Sequence, residues 1–361
     1  MPRNDHGKWK MDLEEYIRQG EPEQSEKSTT WKTAIGLQDV DGLKTSEYLL
    51  KTAKEHIEGR IDIKTAQKRI QSYYEERQTR TEIEEGTKEA DIVSTRIAEL
   101  LGERTFQFSP AEWKTIHKRL FKDIFPHAGE YRTYNITKSE WVLNGETVLY
   151  ASADSIRDTL DYDFGREKQF SYEGLSARDA VKHIAKFTSG IWQIHPFCEG
   201  NTRSTAVFII KYLKTFGFSV NNAIFAENSW YFRNSLARAN YNDLGKGISA
   251  TTIYLERFFE NLLMGYQNEL KNRFIHVDYR EQSAIQSAIE KDSKCNNCTL
   301  EELAILKELL KNPSITQKEL AGIIVKSERT IKTRTVEMQE KGLIRRENGK
   351  RNGRWEVLVN I

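Results

Sequence analysis

The stretch His195-Pro196-Phe197-Cys198-Glu199-Gly200-Asn201-Thr202-Arg203-Ser204 constrains this chain more than any other. It is a polar, glycine-containing loop between two segments, 177–194 and 205–215, whose apolar residues repeat at helical spacing. A loop that feeds a buried helix presents unsatisfied N–H groups and a partial positive charge at one point, which suits phosphate. The same loop holds an imidazole able to take a proton, a carboxylate suited to a hard cation, and an arginine with a fork of donors. Together these residue types point to a nucleotide-phosphate site with a histidine base.

The remaining chain reads as mainly helical. Residues 1–30 are polar and are expected to be mobile, apart from a short helix around 13–17, with order beginning at Trp31. Helices are expected over 33–37, after the cap Thr45-Ser46-Glu47, and over 63–74. Residues 82–88 read as a charged connector before a helix over 92–101. Ser109, Pro110 and Glu112 then form a strong helix start, and Trp113, Ile116, Leu120 and Phe121 share its buried face. β-Branched and aromatic residues fill 131–136, 140–143 and 146–150, and Asn144-Gly145 between the last two predicts a hairpin. Two strands alone are marginally stable, so this hairpin reads as functional. Helices over 156–164, 177–194, 205–215, 229–240 and 251–268 complete the central unit, and a charged helix over 271–294 leads out of it.

Cys295-Asn-Asn-Cys298 supplies two of the four ligands a structural zinc needs, and no second pair exists, so it reads as a linker. Three cysteines make no disulfide framework, which favours a reducing cytoplasm. No apolar run approaches the ~18 residues needed to span a bilayer, and the first residues lack the apolar core of a secretory signal. From Thr299, three helices and two strands around a glycine turn have the plan of a winged helix-turn-helix. The net charge is only +2, so a basic partner surface must be local. It is local here: Arg329, Lys332 and Arg334 lie on the third helix, and Lys350 and Arg351 at the wing tip, where they are expected to meet DNA.

The central loop resembles the signature of the Fic (Fido-domain) family, H-x-F-x-(D/E)-G-N-G-R-x-x-R, at His195, Phe197, Glu199, Gly200, Asn201 and Arg203. The segment from Ile116 to Arg132, with Phe125-Pro126-His127-Ala128-Gly129, is similar to the stretch before that family's flap, and 136–150 falls where the flap stands. The resemblance covers roughly 90–265. It implies a helical Fic core with a β-hairpin flap, and AMP transfer from ATP to a Ser, Thr or Tyr hydroxyl of a target protein with release of pyrophosphate. By resemblance His195 is the general base, Glu199 holds Mg²⁺, and Gly200, Asn201 and Arg203 bind phosphates. Phe197, Thr202 and Asn240 fall at or beside nucleotide-contacting positions, and Thr137, Lys138, Val142 and Leu143 on the flap are expected to line up an extended target segment. Two positions depart from the pattern. Thr202 stands for the usual glycine, and Ala206 for the last arginine, which in the family holds the γ-phosphate and partners an inhibitory glutamate.

That inhibitory pattern, (S/T)-x-x-x-E-(G/N), has two candidates. Residues 34–43 resemble the family's small antitoxin partners with Asp41 in place of the glutamate, Leu37 in place of the Ser/Thr, and Gly42 retained. A literal match ends at Glu85-Gly86. The expected organisation is a mobile 1–30, an antitoxin-like helical 31–89, a catalytic core over 90–270, a helix and linker over 271–298, and an α+β winged helix over 299–361. Alternatives are a DNA-binding regulator whose core only binds nucleotide, or transfer from another nucleotide donor. Self-association is left open.

Overall fold

In the computed structural model, the described residues are 13–18, 20–75, 82–217, 223–279, 298–347 and 353–359. A helical segment over 13–18 precedes α1 (Pro22–Gly36), so order begins earlier than Trp31. Pro22 starts α1 at a position where its missing N–H costs nothing, and Ser28, Trp31, Thr33 and Ala34 bury one face of it. That face is mostly small and polar, which is why composition hid it. The helix runs into a tight turn, Leu37–Asp41, closed by Gly42 at φ 69°, a left-handed conformation that glycine adopts freely.

Next come α2 (Glu47–Ile57), capped by Ser46, whose hydroxyl accepts from Leu49 N–H, and α3 (Ile63–Glu75). The expected connector at 82–88 is instead the first turns of α4 (Glu82–Gly102). α4 is the spine of the N-terminal unit: α1 and α3 pack along it, and its far end meets α5 (Pro110–Phe121). Ser109 caps α5 as expected, accepting from Glu112 N–H at 3.1 Å.

The central unit is built from α6 (Ile156–Gln169), α7 (Ala177–Ile194) and α8 (Asn201–Lys214), with α5 against α8 and α7 against both α6 and α8. Every residue of α8 from Asn201 to Leu213 is buried. Trp113, Phe164 and Phe208 interlock beneath it, with ring centroids 5.5–6.5 Å apart. α9 (Ala223–Glu227) closes on α1 through a Lys32–Glu227 ion pair, and α10 (Ser229–Ala239) and α11 (Ile253–Phe259) cover α7. Of the helix expected over 271–294, α12 (Asn272–Ile275) is formed, and 280–297, with Cys295, lie outside the described residues.

The 136–150 segment turns back on itself without a strand ladder: a short helical turn at Trp141–Leu143 leads to Asn144-Gly145, and Glu140 N–H donates to Glu146 O at 2.9 Å. Its apolar residues are used inward. Val142 and Leu143 are fully buried, and Glu140 is buried against Arg233 of α10 at 2.8 Å. Among the described residues the one sheet is C-terminal. There α13 (Leu300–Lys311), α14 (Gln317–Ile324), α15 (Glu328–Glu340), β1 (Ile344–Glu347) and β2 (Arg354–Val357) form the winged helix, with an antiparallel register of Ile344 opposite Val357. Capping boxes at Thr299/Glu302 and Thr316/Glu319 start its first two helices. This unit docks on the core, where Ala177 N–H at the start of α7 donates to Cys298 O at 2.7 Å. Among the described residues no helix is long and apolar enough to cross a membrane.

Candidate functional site

α7 ends at His195, which caps it in a left-handed conformation at φ 49°. Histidine tolerates that region better than bulky residues do, and the turn throws the loop across the start of α8. His195 is 3 % exposed, and its ring lies 4.4 Å from Tyr150 and 5.2 Å from Trp192. Nδ1 stands 3.3 Å from Trp192 O, an atom that only accepts, so Nδ1 carries the proton and Nε2 keeps its lone pair. Burial, with Lys138 nearby, holds the imidazole well below its usual pKa, so it is neutral at neutral pH.

The loop after His195 is stapled from inside. Asn201 Oδ1 accepts from Phe197 N–H at 3.0 Å and Nδ2 donates to Phe197 O at 2.7 Å, so its side chain holds the loop. Phe197 is fully buried, stacked 3.7 Å from His117, which makes it an anchor and not a nucleotide contact. Thr202 is also turned inward: Trp192 Nε1 donates to its hydroxyl at 3.0 Å. Gly200 is required twice over. Its φ is 72°, and a Cβ there would lie 2.3 Å from the Phe121 ring.

His117 was not singled out from sequence. Its Nδ1 accepts from Gly129 N–H at 2.9 Å, so Nε2–H donates to Glu199 O, also at 2.9 Å. Burial pushes its pKa down to about 4. An unfolded histidine binds a proton near pH 6.5 and the folded one does not, so this group's contribution is complete above that pH and is lost as pH falls toward 4. The loss should be on the order of 3 kcal/mol. Denaturant titrations at pH 7.5 and 4.5 check it, and a His117→Gln variant with the same acid sensitivity as wild type would refute the assignment.

Glu199 is the exposed carboxylate of the loop, paired with Lys138 of the flap at 3.3 Å. Among the described residues no group of three or more His, Cys, Asp or Glu could cage a metal. A single carboxylate beside a helix N-terminus fits Mg²⁺, which keeps waters and takes the rest of its oxygens from bound phosphates.

Arg203 is the main surprise. It is 2 % exposed and already engaged: Asp41 Oδ2 lies 2.7 Å from Nε, Glu89 Oε1 2.6 Å from Nη2, and Gln38 Oε1 accepts from Nη1 at 3.1 Å. The Asp41 contact is an ion pair off the N–H direction, while the other two are hydrogen bonds. Phe121 lies beneath the guanidinium at 4.8 Å. Of the two acidic candidates, Asp41 reaches Arg203 and Glu85 does not; Glu85 sits beside Lys88 at 3.7 Å. Glu89 carries no local sign of this role, since it borders a stretch, 82–88, with the composition of a charged connector. Ala206, at the last arginine's place, is fully buried in α8.

The other expected contacts divide. Thr137 is exposed and Lys138 half-buried on the flap, but the burial of Val142 and Leu143 removes them from any target segment. Asn240 ends α10 and donates to Ser189 O and Leu236 O, a helix-capping role. On the winged helix, Arg329 is exposed, Lys332 is exposed beside Glu328 at 2.8 Å, and Arg334 is half-buried between Glu337 and Glu301. Arg334 therefore braces α15 against α13. Lys350 and Arg351 lie outside the described residues.

Residues 107–213 match the Fic/DOC family, and residues 302–345 match the winged helix-turn-helix DNA-binding family. A curated relative, the protein adenylyltransferase VbhT of Bartonella schoenbuchensis, is 27% identical over 115 residues, which are 32% of this chain and 23% of that protein. The chain thus spans about a quarter of that relative's length. Solved structures that resemble it include the N-terminal FIC domain of Bep8 from Bartonella sp. 1-1C, 19% identical with a TM-score of 0.40, over 51% of this chain and 87% of that one. A Fic family protein from Desulfovibrio desulfuricans G20 is 12% identical with a TM-score of 0.42, over 97% of this chain and 93% of that one.

Proposed function

We propose that this chain, which carries a Fic/DOC domain and a winged helix-turn-helix, moves AMP from ATP to a Ser, Thr or Tyr hydroxyl of a protein. The observation that carries this reading is a neutral, buried His195 with a free Nε2, one loop away from the N-terminus of α8. The hydroxyl oxygen attacks the α-phosphorus and its proton passes to His195 Nε2. The bond from that phosphorus to the bridging oxygen breaks, and pyrophosphate leaves. The first turn of α8 offers its N–H groups to the phosphates. Glu199, once Lys138 withdraws, would hold Mg²⁺, which supplies charge neutralisation on the phosphate oxygens. Arg203 would clamp the distal phosphates, but in this structure Asp41 and Glu89 occupy it. Thr137 and Lys138 would meet the target.

Incubation of the full chain with Mg²⁺ and ATP labelled at the α-phosphate should label protein, and label at the γ-phosphate should not transfer. Transfer of the γ label, or of neither in wild type and in a variant freed at Asp41 and Glu89, would sink the reading.

A second reading is favoured by one observation: the charge missing at Ala206, together with the occupied Arg203, suits a core that binds nucleotide to govern DNA binding. The exposed Arg329 and Lys332 on α15 support DNA contact. Affinity for duplex DNA should fall with salt, and Arg329→Ala should reduce the slope of log K against log salt by about one phosphate contact. A salt-independent affinity would count against DNA as the partner.

A further inference from the structure

Arg132 is 2 % exposed and lies just before the flap. A guanidinium has five N–H donors in a rigid plane and no acceptor. Here each hydrogen bond goes to a main-chain carbonyl. Nε donates to His195 O at 2.8 Å and Nη2 to Ile194 O at 3.2 Å, the last carbonyls of α7. Nη1 donates to Tyr134 O at 2.8 Å in the chain entering the flap, and Nη2 to Ala151 O in the chain leaving it. The Arg132 main-chain N–H donates to Pro196 O at 2.8 Å. One side chain thus joins both stems of the flap to the residue that carries the base.

We infer that Arg132 is a positioning residue for the transfer reaction: it fixes the flap and His195 as one unit, so that a hydroxyl aligned by the flap arrives in line with Nε2. This rests on the proposed function for its catalytic consequence, but the mechanical link stands on the hydrogen bonds alone. The carbonyls at the C-terminal end of α7 lack intrahelical donors and carry the negative end of its dipole, so a buried cation is well placed there. No other single side chain fits the task. Lysine has a compact point charge and cannot span carbonyls on three segments. A second contact, Gln193 Nε2 to Leu149 O at 2.9 Å, ties the same two parts farther out and cannot replace the fork.

The test compares wild type, Arg132→Lys and Arg132→Gln in the full chain, by hydrogen exchange and by steady-state transfer. In the lysine variant, amides over 133–151 and 193–197 should exchange at least tenfold faster, while those of α5 and the middle of α8 keep their protection. The kcat for transfer should fall ten- to a hundredfold, as expected for a small displacement of reacting groups, with the KM for ATP changed less than threefold. Should Arg132→Lys fail to fold, Arg132→Gln, which keeps a planar donor group, supplies the same readouts. Unchanged exchange in the flap, or a uniform rise across α5 and α8, overturns the inference; so does an equal change in kcat and KM. If wild type and the variant freed at Asp41 and Glu89 transfer no AMP, the proposed function has failed and the exchange pattern alone decides on Arg132.

Discussion

Replacing His195 should lower AMP transfer by ~10²–10⁴-fold, the range expected for loss of a general base, with nucleotide binding nearly unchanged. His195→Asn is the better variant, because the residue sits at φ 49° and asparagine accepts the left-handed region with less strain than alanine. Asparagine also fills part of the space between Tyr150 and Trp192. It cannot take a proton, so the chemical step is what it removes. The depressed pKa of the imidazole makes a second, linked expectation. The base must be neutral to act, and burial keeps it neutral, so the rate should stay flat as pH falls through 6.5 instead of declining there. Initial rates with α-labelled ATP from pH 5.5 to 8, for wild type and His195→Asn, check both. A variant that keeps more than a tenth of the rate would remove His195 from the mechanism.

The parts of this protein that could be read from sequence are those where local chemistry decides. Ser46, Ser109, Thr316 and Ser327 announce helix starts because each hydroxyl satisfies an N–H of its own first turn. The His195–Arg203 loop was legible as a site because its residue types leave few other uses. What escaped depends on partners far along the chain. The first turns of α4 look like a connector because charges crowd around Gly86 and little apolar surface marks a buried face; Glu89 finds Arg203, and Asp91 finds Ser46 and Tyr74. Asp91 is fully buried, and desolvation raises its pKa to about 6 although it accepts three hydrogen bonds. β-Branched and aromatic residues on either side of Asn144-Gly145 predicted paired strands, yet Glu140 is drawn inward by Arg233, and Val142 and Leu143 follow it into the core. Tertiary burial overrode β-propensity there. Thr202, a departure from the motif glycine, proves useful: its hydroxyl satisfies the buried Trp192 indole.

Freeing Arg203 should raise transfer ten- to a hundredfold. In this structure the guanidinium is buried and held by Asp41, Glu89 and Gln38, which leaves it no free fork for a phosphate. Asp41→Ala with Glu89→Ala removes both carboxylates and leaves a buried, unpaired cation. Breaking a buried pair from one side typically costs ~3–5 kcal/mol, and each ~1.4 kcal/mol is a factor of ten in population. Asp41 is 37 % and Glu89 20 % exposed, so solvent screens both pairs, and relaxation of the surroundings absorbs more of that cost, which brings the expected gain down to one or two decades. An anionic phosphate is then the best remaining partner for the guanidinium, so nucleotide affinity should rise along with rate. The two carboxylates come from different elements, the turn after α1 and the helix α4, and both must go: Glu89 alone still neutralises Nη2 when Asp41 is lost. Each single variant should therefore gain less than half, on a logarithmic scale, of what the double variant gains. Glu85→Ala is the control, since Glu85 lies beside Lys88 and away from Arg203, and its rate should stay within twofold of wild type. Transfer assays and nucleotide titrations on wild type and the four variants read this directly. Equal activity in wild type and the double variant would show that Asp41 and Glu89 brace the N-terminal helices without restraining the site.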